Sequence, residues 1–395
     1  MMRKPRPAIA LLVEASRSYG RDLLRGAALY ARTQSDWSLL HQEMTLDTGA
    51  PDWLASAGVS GVIARVDTHT IDSLRKLNVP IVDVCCNHKF SGVPQVETDN
   101  EVVAQLAFRH LWDRGFRRFA FCGFKFASYS DARLKCFRQL VTDAGCFLSV
   151  HESQGKPNRP LTSIERAGID DVGEMFEWLQ TLQRPTGLFV CNDIRGQQVL
   201  NACRTAQIAV PDDLGVIGVD DDDAICMLCD PPLSSVRPDA ERVGYRAAEL
   251  LHEMLAGELP HREIEYIAPR SVHERMSTNV VAVEDRELAR VCRFIRQHAC
   301  DGINVATITQ FTSLSRRQLE RRFRGQLGRT PHQEITAVQL DRVKQLLTET
   351  DLTLEEISLK TGYAHKESLS SVFKREISMT PGEFRRQAQR NPPSR

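Results

Sequence analysis

No stretch of this chain approaches the roughly 18 consecutive apolar residues that a membrane-spanning helix requires. The apolar run nearest the start, Ala8–Val13, follows Arg3, Lys4 and Arg6 and stops at Glu14. It is too short for an export signal and suits a buried strand. A cytoplasmic protein with no membrane partner is expected, and a secreted transport receptor is disfavoured. Enzymatic signatures are also missing. No G-x-G-x-x-G follows the first strand, and there is no P-loop and no G-x-S-x-G. Paired metal motifs are absent too. The 11 cysteines are scattered. Cys226 and Cys229 form a lone C-x-x-C, and Cys85-Cys86 adjoin, without further ligands at metal-binding spacing. They read as buried, reduced thiols, so neither cofactor nor metal is expected. A catalytic role is not expected either.

An excess of one charge is lacking overall, since Lys+Arg and Asp+Glu each total 51. The balance is uneven along the chain. From Arg286 onward there are 20 basic and 12 acidic residues, against 31 and 39 before it. A basic end on an acidic body fits a nucleic-acid-binding module attached to something else. The length of 395 residues allows two or three domains.

Residues 8 to about 275 alternate short apolar runs with amphipathic stretches. Ala8–Val13, Trp37–His41, Val59–Val66, Ile81–Cys86, Phe119–Gly123, Gly187–Cys191 and Leu214–Val219 read as strands. Tyr19–Ala31, Ile71–Leu77, Val102–Arg114, Leu134–Ala144 and Gln197–Ala206 read as helices between them. Such alternation implies parallel sheets covered on both faces, with ligands beyond the C-terminal ends of the strands. Asn192-Asp193 and Asp220 to Asp223 stand at such ends. Each alone reads as a helix cap, and the acidic run also invites a metal reading. Together these positions suggest a cleft for a small hydroxylated ligand.

Met276 to Asp285 reads as a linker, dividing a domain 1–275 from a helical domain 286–395. In the latter, Ser315/Gln318, Thr330/Gln333, Thr353/Glu356 and Thr380/Glu383 have the spacing of capping boxes, two of them with Pro in the first helical position. Leu319, Phe323 and Leu327 form one apolar stripe, and Leu369 with Phe373 forms another. Val305–Phe311 before the first stripe, and Leu354 and Ile357 before the second, complete two helix-turn-helix units, with Gly362 turning the second. A solvated charged face is the plain alternative for a lone helix. The tight turn, the preceding helix and the basic excess instead favour DNA binding. The second helix of such a unit lies in the major groove. Arg317, Glu320 and Arg321 are then candidates for base contacts, and Ser315, Arg316 and Arg324 for phosphates. Lys366, Glu367, Ser368, Ser370 and Ser371 open the second recognition helix, whose surface is less basic. The helix from Pro331 to Thr348 would space the two units about one DNA turn, roughly 34 Å, apart.

From about Arg286 to Arg386 the chain resembles the DNA-binding domain of the AraC family. The resemblance rests on Leu314-Ser315, Leu319, Arg322-Phe323, Gly328 and Thr330-Pro331. It continues in Ile357, Gly362-Tyr363, Phe373-Lys374, Thr380-Pro381 and Phe384-Arg385. Ser378 departs from the usual Gly, Leu369 from Phe, and Ser358 and Thr309 from Ala. The first 275 residues resemble the sugar-binding domain of LacI-type repressors, through Val96 to Asn100, Arg133 to Phe137, Asn192-Asp193, Val216 to Asp221 and Pro231 to Val236. The resemblance implies an α/β, two-lobed, periplasmic-binding-protein-like sensor followed by an all-α domain with two helix-turn-helix motifs. It also implies that Arg133 and Asp220 bind sugar hydroxyls, with Asn192 as a third such position and Asp193 beside it. Tyr19 and Arg21 occupy the first strand-to-helix loop, where it should meet the cleft. The pairing of parts is similar to that of pentose-operon activators. It implies D-xylose or a related pentose as effector, an operator in double-stranded DNA, a homodimer and RNA polymerase as a partner.

Overall fold

A computed structural model describes residues 6–43, 51–85, 87–153, 164–165, 171–279, 285–350 and 352–390. Arg3, Lys4, Cys86 and residues 280–284 of the expected linker lie outside them. The chain divides into two compact units, Met1–Val280 and Val281–Arg395.

The first unit holds two six-stranded sheets. In the first lobe, β1 (Ala8–Leu12), β2 (Ser38–His41), β3 (Gly61–Ala64), β4 (Ile81–Asp83) and β5 (Gln95–Thr98) are joined by β11 (Ile264–Ile267) in the order β11-β5-β4-β3-β1-β2. All pairs in it are parallel. In the second lobe, β6 (Arg118–Phe124), β7 (Phe147–Ser153), β8 (Thr186–Val190), β9 (Leu214–Val219) and β10 (Ser234–Arg237) are joined by β12 (Ser271–His273) in the order β12-β10-β9-β8-β6-β7. Only β12 runs antiparallel to its neighbour. Both central strands β8 and β9 are buried at every residue, as a parallel sheet covered on both faces requires.

The helices between these strands are α1 (Ser18–Gln34), α2 (Ile71–Arg75), α3 (Asn100–Asp113), α4 (Ser128–Asp143), α5 (Val172–Thr181), α6 (Asp193–Thr205), α7 (Asp223–Leu228) and α8 (Ala240–Leu255). Among the described residues, the chain passes between the lobes three times: after β5, after β10 and between β11 and β12. Backbone hydrogen bonds tie the passages together, from Asp99 N to Ile267 O and from Arg270 N to Arg237 O, each 2.8 Å. In the first lobe, α1 packs against α8. Gly26 makes this approach possible, since a Cβ there would stand 1.8 Å from the Glu241 carbonyl oxygen.

The structure corrects two expectations. Met276–Thr278 forms a short 3-10 turn with Ser277 and Thr278 fully buried. The Ser277 hydroxyl donates to Val216 O (2.6 Å) and its N–H to Pro232 O (2.9 Å), so these residues complete the second lobe rather than begin a linker. The helix expected over Leu134–Ala144 begins earlier, at Ser128, so Arg133 lies inside α4. Apolar runs also leave five strands unread: much of β7, β11 and β12 is half-buried or exposed, and β5 and β10 are only four residues long and partly polar.

The second unit comprises α9 (Arg286–His298), α10 (Val305–Phe311), α11 (Arg316–Leu327), α12 (Pro331–Glu349), α13 (Leu354–Lys360), α14 (Lys366–Ile377) and α15 (Pro381–Arg390). The capping boxes at Ser315, Thr330 and Thr353 form as expected, and Thr380 and Glu383 exchange the same reciprocal bonds. A further box, Asn304 with Thr307, opens α10. Two apolar cores result. One gathers Leu288, Val291, Ile295, Ile308, Leu319 and Phe323 with Ile335. The other gathers Leu340, Val343, Leu346, Leu347, Ile357, Leu369 and Phe373. The single helix α12 contributes to both, which couples the two helix-turn-helix units mechanically.

Candidate functional site

Loops at the C-terminal ends of the strands converge on a cleft between the lobes, with a volume of about 610 Å³ including its open mouth. Arg17 and Tyr19 follow β1, Arg65 follows β3, Val84 and Cys85 follow β4, and Asn100 follows β5. The second lobe supplies Tyr129 and Arg133 on α4, Glu165 after β7, Asn192 after β8 and Asp220 after β9. Glu97 and Thr98, at the end of β5, complete the lining.

The polar groups hold one another in place. Arg17 and Glu165 form a two-pronged ion pair, with Nη1 to Oε1 at 2.9 Å. The Tyr129 hydroxyl donates to the same Glu165 oxygen (2.9 Å), and Asn192 Nδ2 donates to Tyr129 Oη (3.2 Å). Arg133 donates from Nε to Asn100 Oδ1 (2.9 Å) and from Nη1 to the Cys191 carbonyl. Its guanidinium lies over the Tyr129 ring. Asn100 in turn donates to Glu97 Oε1 at 2.7 Å. Tyr19 and Thr98 share a hydroxyl–hydroxyl bond of 3.1 Å. Burial pushes the Glu97 carboxyl up to about 7 against the pull of Arg133 and Asn100. It raises Asp220 as well, with Arg133 and Arg17 opposing. The Asp220 side chain makes no hydrogen bond among the described residues. Its backbone has φ +112°, and Asp221 follows at +50°. Non-glycine residues adopt such values only when surroundings hold them there. The holding groups are Val236 O for the Asp220 N–H (3.1 Å) and Ser235 Oγ for the Asp221 N–H (3.0 Å). The result directs a carboxylate into a cleft that also carries guanidinium, amide and phenol donors. Such mixed donors and acceptors suit a polyhydroxylated ligand.

Of the residues expected here, Tyr19, Arg133, Asn192 and Asp220 line the cleft, and Arg21 and Asp193 do not. Arg21 turns away to donate to the Ala15 and Ser16 carbonyls, at 3.1 and 3.0 Å. Asp193 is buried beneath the cleft. It accepts from Ser235 Oγ (2.7 Å) and from the Asp222 N–H (2.9 Å). Sequence reasoning missed Arg17, Arg65, Glu97, Thr98, Asn100, Tyr129 and Glu165. The strand-end rule would have reached Asn100, which falls in the Val96 to Asn100 segment, but Glu165 follows an edge strand with no clear apolar signature. In the acidic run, Asp221 and Asp223 cluster with His273, with ligand atoms close enough to hold a metal ion, and Arg275 forms ion pairs of 2.8 Å with both carboxylates.

In the second unit, α11 buries Leu319 and Phe323 and exposes Arg316, Arg317, Arg321 and Arg324. Glu320 is half-buried and pairs with Arg316 at 3.3 Å. The Ser315 hydroxyl is engaged in its capping box. The turn is fixed from α9: Thr312 Oγ1 donates to Glu287 (2.6 Å), and Arg322 donates to Asp285 (2.6 Å). On α14, Lys366, Glu367, Ser368 and Ser371 are exposed and Ser370 is half-buried. Lys366 pairs with Glu355 at 3.0 Å. Gly362, at φ +77°, makes the second turn, and a Cβ there would meet the Ala299 carbonyl oxygen at 2.9 Å.

Comparison with known proteins accounts for both units. A periplasmic binding protein-like domain family matches residues 108–278, and a helix-turn-helix domain family matches residues 308–387. The xylose operon regulatory protein of Escherichia coli K12 is 34% identical over 96% of this chain and 97% of its own length. That of Haemophilus influenzae is 30% identical over 95% and 97%. A solved xylose-binding transcription activator superposes with a TM-score of 0.77 at 32% identity, covering 97% of this chain and 99% of its own. A ribose-bound LacI-family regulator from Enterococcus faecium, 20% identical and covering 70% of this chain, shares the sensor fold with a TM-score of 0.54. No helix among the described residues is long and apolar enough to cross a membrane. Identity at this level runs the full length of regulators with the same order of parts, so this chain belongs to the family of xylose operon regulatory proteins, DNA-binding regulators of transcription.

Proposed function

We propose that the interlobe cleft binds D-xylose or a related pentose and that its occupancy governs DNA binding by the two helix-turn-helix units. The observation that carries this reading is the convergence of Arg17, Arg133, Asn192, Glu165 and Asp220 from both lobes on one cleft at the strand ends. A sugar there satisfies groups from both lobes together only when they are close, so it favours the closed arrangement. Differential affinity of that kind is what a regulator needs, since equal affinity shifts nothing. Asp220 and Asn192 act as acceptor and donor toward the hydroxyls, Arg133 as a planar donor, and Tyr19 as a wall of the cleft.

On DNA, Arg317, Glu320 and Arg321 read base edges from the first recognition helix, and Ser315, Arg316 and Arg324 hold phosphates. Lys366, Glu367, Ser368, Ser370 and Ser371 face the second groove, and α12 sets the spacing. The Arg316–Glu320 pair must open for both residues to act on DNA. The protein works in the cytoplasm as a homodimer on paired half-sites and activates transcription with RNA polymerase.

Isothermal titration with D-xylose, with arabinose, ribose and glucose as controls, tests the effector. Saturable binding of xylose that weakens roughly 10- to 100-fold in Asp220→Ala is the expected result, from the loss of charge-assisted hydrogen bonds. No heat with any pentose, from folded protein, removes the pentose assignment. Operator binding with and without the sugar tests the coupling.

A further inference from the structure

Asp222 follows the cleft residue Asp220 closely in the chain and is not part of the lining, yet it bridges the lobes. Its Oδ2 accepts the backbone N–H of Ser18, at the first turn of α1 in the other lobe, at 3.0 Å. Its Oδ1 accepts the N–H groups of Ala224 (3.2 Å) and Ile225 (3.4 Å) and caps the short helix α7. One carboxylate thus joins a helix start in each lobe. Two residues that the sequence placed in the cleft support it instead. Asp193 holds the Asp222 N–H at 2.9 Å, and the Arg21 guanidinium stands 3.9 Å from Asp222 Oδ2. Asp222 is 6% exposed, so its bond to Ser18 is shielded from water. Elsewhere Arg17 reaches across to Glu165, and Ser128 N donates to Asn87 Oδ1 at 3.0 Å. The lobes are therefore joined at several points by the protein's own groups.

We propose that Asp222, positioned by Asp193 and Arg21, is an interlobe latch that sets how readily the sensor closes and hence how tightly it holds its effector. A carboxylate on a helix N-terminal N–H is a charge-assisted bond, favoured by the helix dipole. It exists only while the lobes are together. Where a ligand needs the closed form, apparent affinity scales with the closed fraction. The latch therefore tunes affinity without touching the ligand. This rests on the cleft being the effector site.

The test is Asp222→Asn in the full-length protein. Oδ1 still caps α7, but the other group becomes an N–H₂ donor facing the Ser18 N–H. Asp222→Ser, which caps α7 with a hydroxyl too short to reach Ser18, is the second variant, and thermal unfolding checks that both fold. Two readouts are taken. One is D-xylose affinity by titration. The other is amide hydrogen exchange at Ser18, measured without sugar on the peptide from Val13 to Leu23. The expected result is about tenfold weaker xylose binding together with about tenfold faster Ser18 exchange in both variants. Unchanged exchange overturns the latch, and faster exchange with unchanged affinity overturns its control of binding. If the unaltered protein binds no sugar, the effector assignment fails by itself, and the exchange arm still decides whether Asp222 joins the lobes.

Discussion

Gly328 and Ser378 end the two recognition helices in the same left-handed conformation, φ +67° and ψ 5° for the glycine and φ +63° and ψ 14° for the serine. Each donates its N–H to the carbonyl four residues earlier, at Arg324 and Lys374. The two units therefore close alike, but only the first does so with a residue that adopts this conformation without strain. Ser378→Gly should stabilise the second unit by about 1 kcal/mol, and Gly328→Ser should destabilise the first by a similar amount. A Cβ at Gly328 meets nothing within 4 Å, so backbone strain alone sets that cost. Denaturant unfolding of the two variants checks both signs, and a fall in stability for Ser378→Gly would contradict the argument.

The contact between α1 and α8 admits no side chain at Gly26. Gly26→Ala is expected to cost about 3 kcal/mol, because its Cβ would overlap the Glu241 carbonyl and the helices would have to separate. A lowered unfolding midpoint for the sensor measures this. A variant as stable as the parent would show that the helices part freely.

Glu97 gives the sensor a pH dependence of definite sign. Its folded pKa, about 7, lies above its ordinary value of 4.5, so the folded state holds the proton more tightly. Stability attributable to this group is greatest below about 4.5 and declines as pH rises through 7. The slope is at most about 1.4 kcal/mol per pH unit. Glu97→Gln should flatten the change in unfolding free energy between about pH 5 and about pH 7.

His110 works in the opposite direction. Burial, with Arg114 adding to it, pushes its pKa down to about 3, and its Nε2 lies 2.7 Å from Thr278 Oγ1. The folded state resists protonation, so the stability it contributes is present above about 6.5 and lost as pH falls toward 3. His110→Gln should reduce the loss of stability on acidification below pH 6.5, read from thermal melts across that range. An unchanged acid limb would remove His110 from the account.

On the proposed DNA-binding reading, the exposed arginines of α11 should separate by role. Arg317→Ala or Arg321→Ala should weaken operator binding by about 1–3 kcal/mol and relax preference at one base position each. Arg324→Ala should weaken binding to all sequences alike and lower the salt dependence by about one ion. Gel-shift titrations over a salt series with matched and mutated operators distinguish these outcomes. Equal losses on all sequences from Arg317→Ala would move that residue to the phosphate group.

The helical unit was the most legible part of the chain, because its signals are local. A capping box spans four residues, and an apolar stripe recurs within two turns, so Ser315, Thr330, Thr353, Leu319 and Phe323 announce their places with no knowledge of the fold. The β–α alternation of the sensor was legible for the same reason. Five strands were not: β7, β11 and β12 are partly exposed, and the short β5 and β10 carry polar residues at Gln95, Glu97, Ser234 and Ser235.

Residue order alone was enough to specify a two-part regulator, with caps, turns and buried stripes at particular positions. Which strand-end groups meet depended on the folded chain. Arg17 and Glu165 lie 148 positions apart and pair because β1 and β7 end at the same cleft in different lobes. Asp193 adjoins Asn192 in the chain yet turns beneath the cleft to hold Asp222, while Asn192 turns into it. Neighbours on opposite sides of a helix start face different surroundings, and three passages of the chain between the lobes set which surroundings those are. Such long-range closure leaves no periodic trace in the residues themselves.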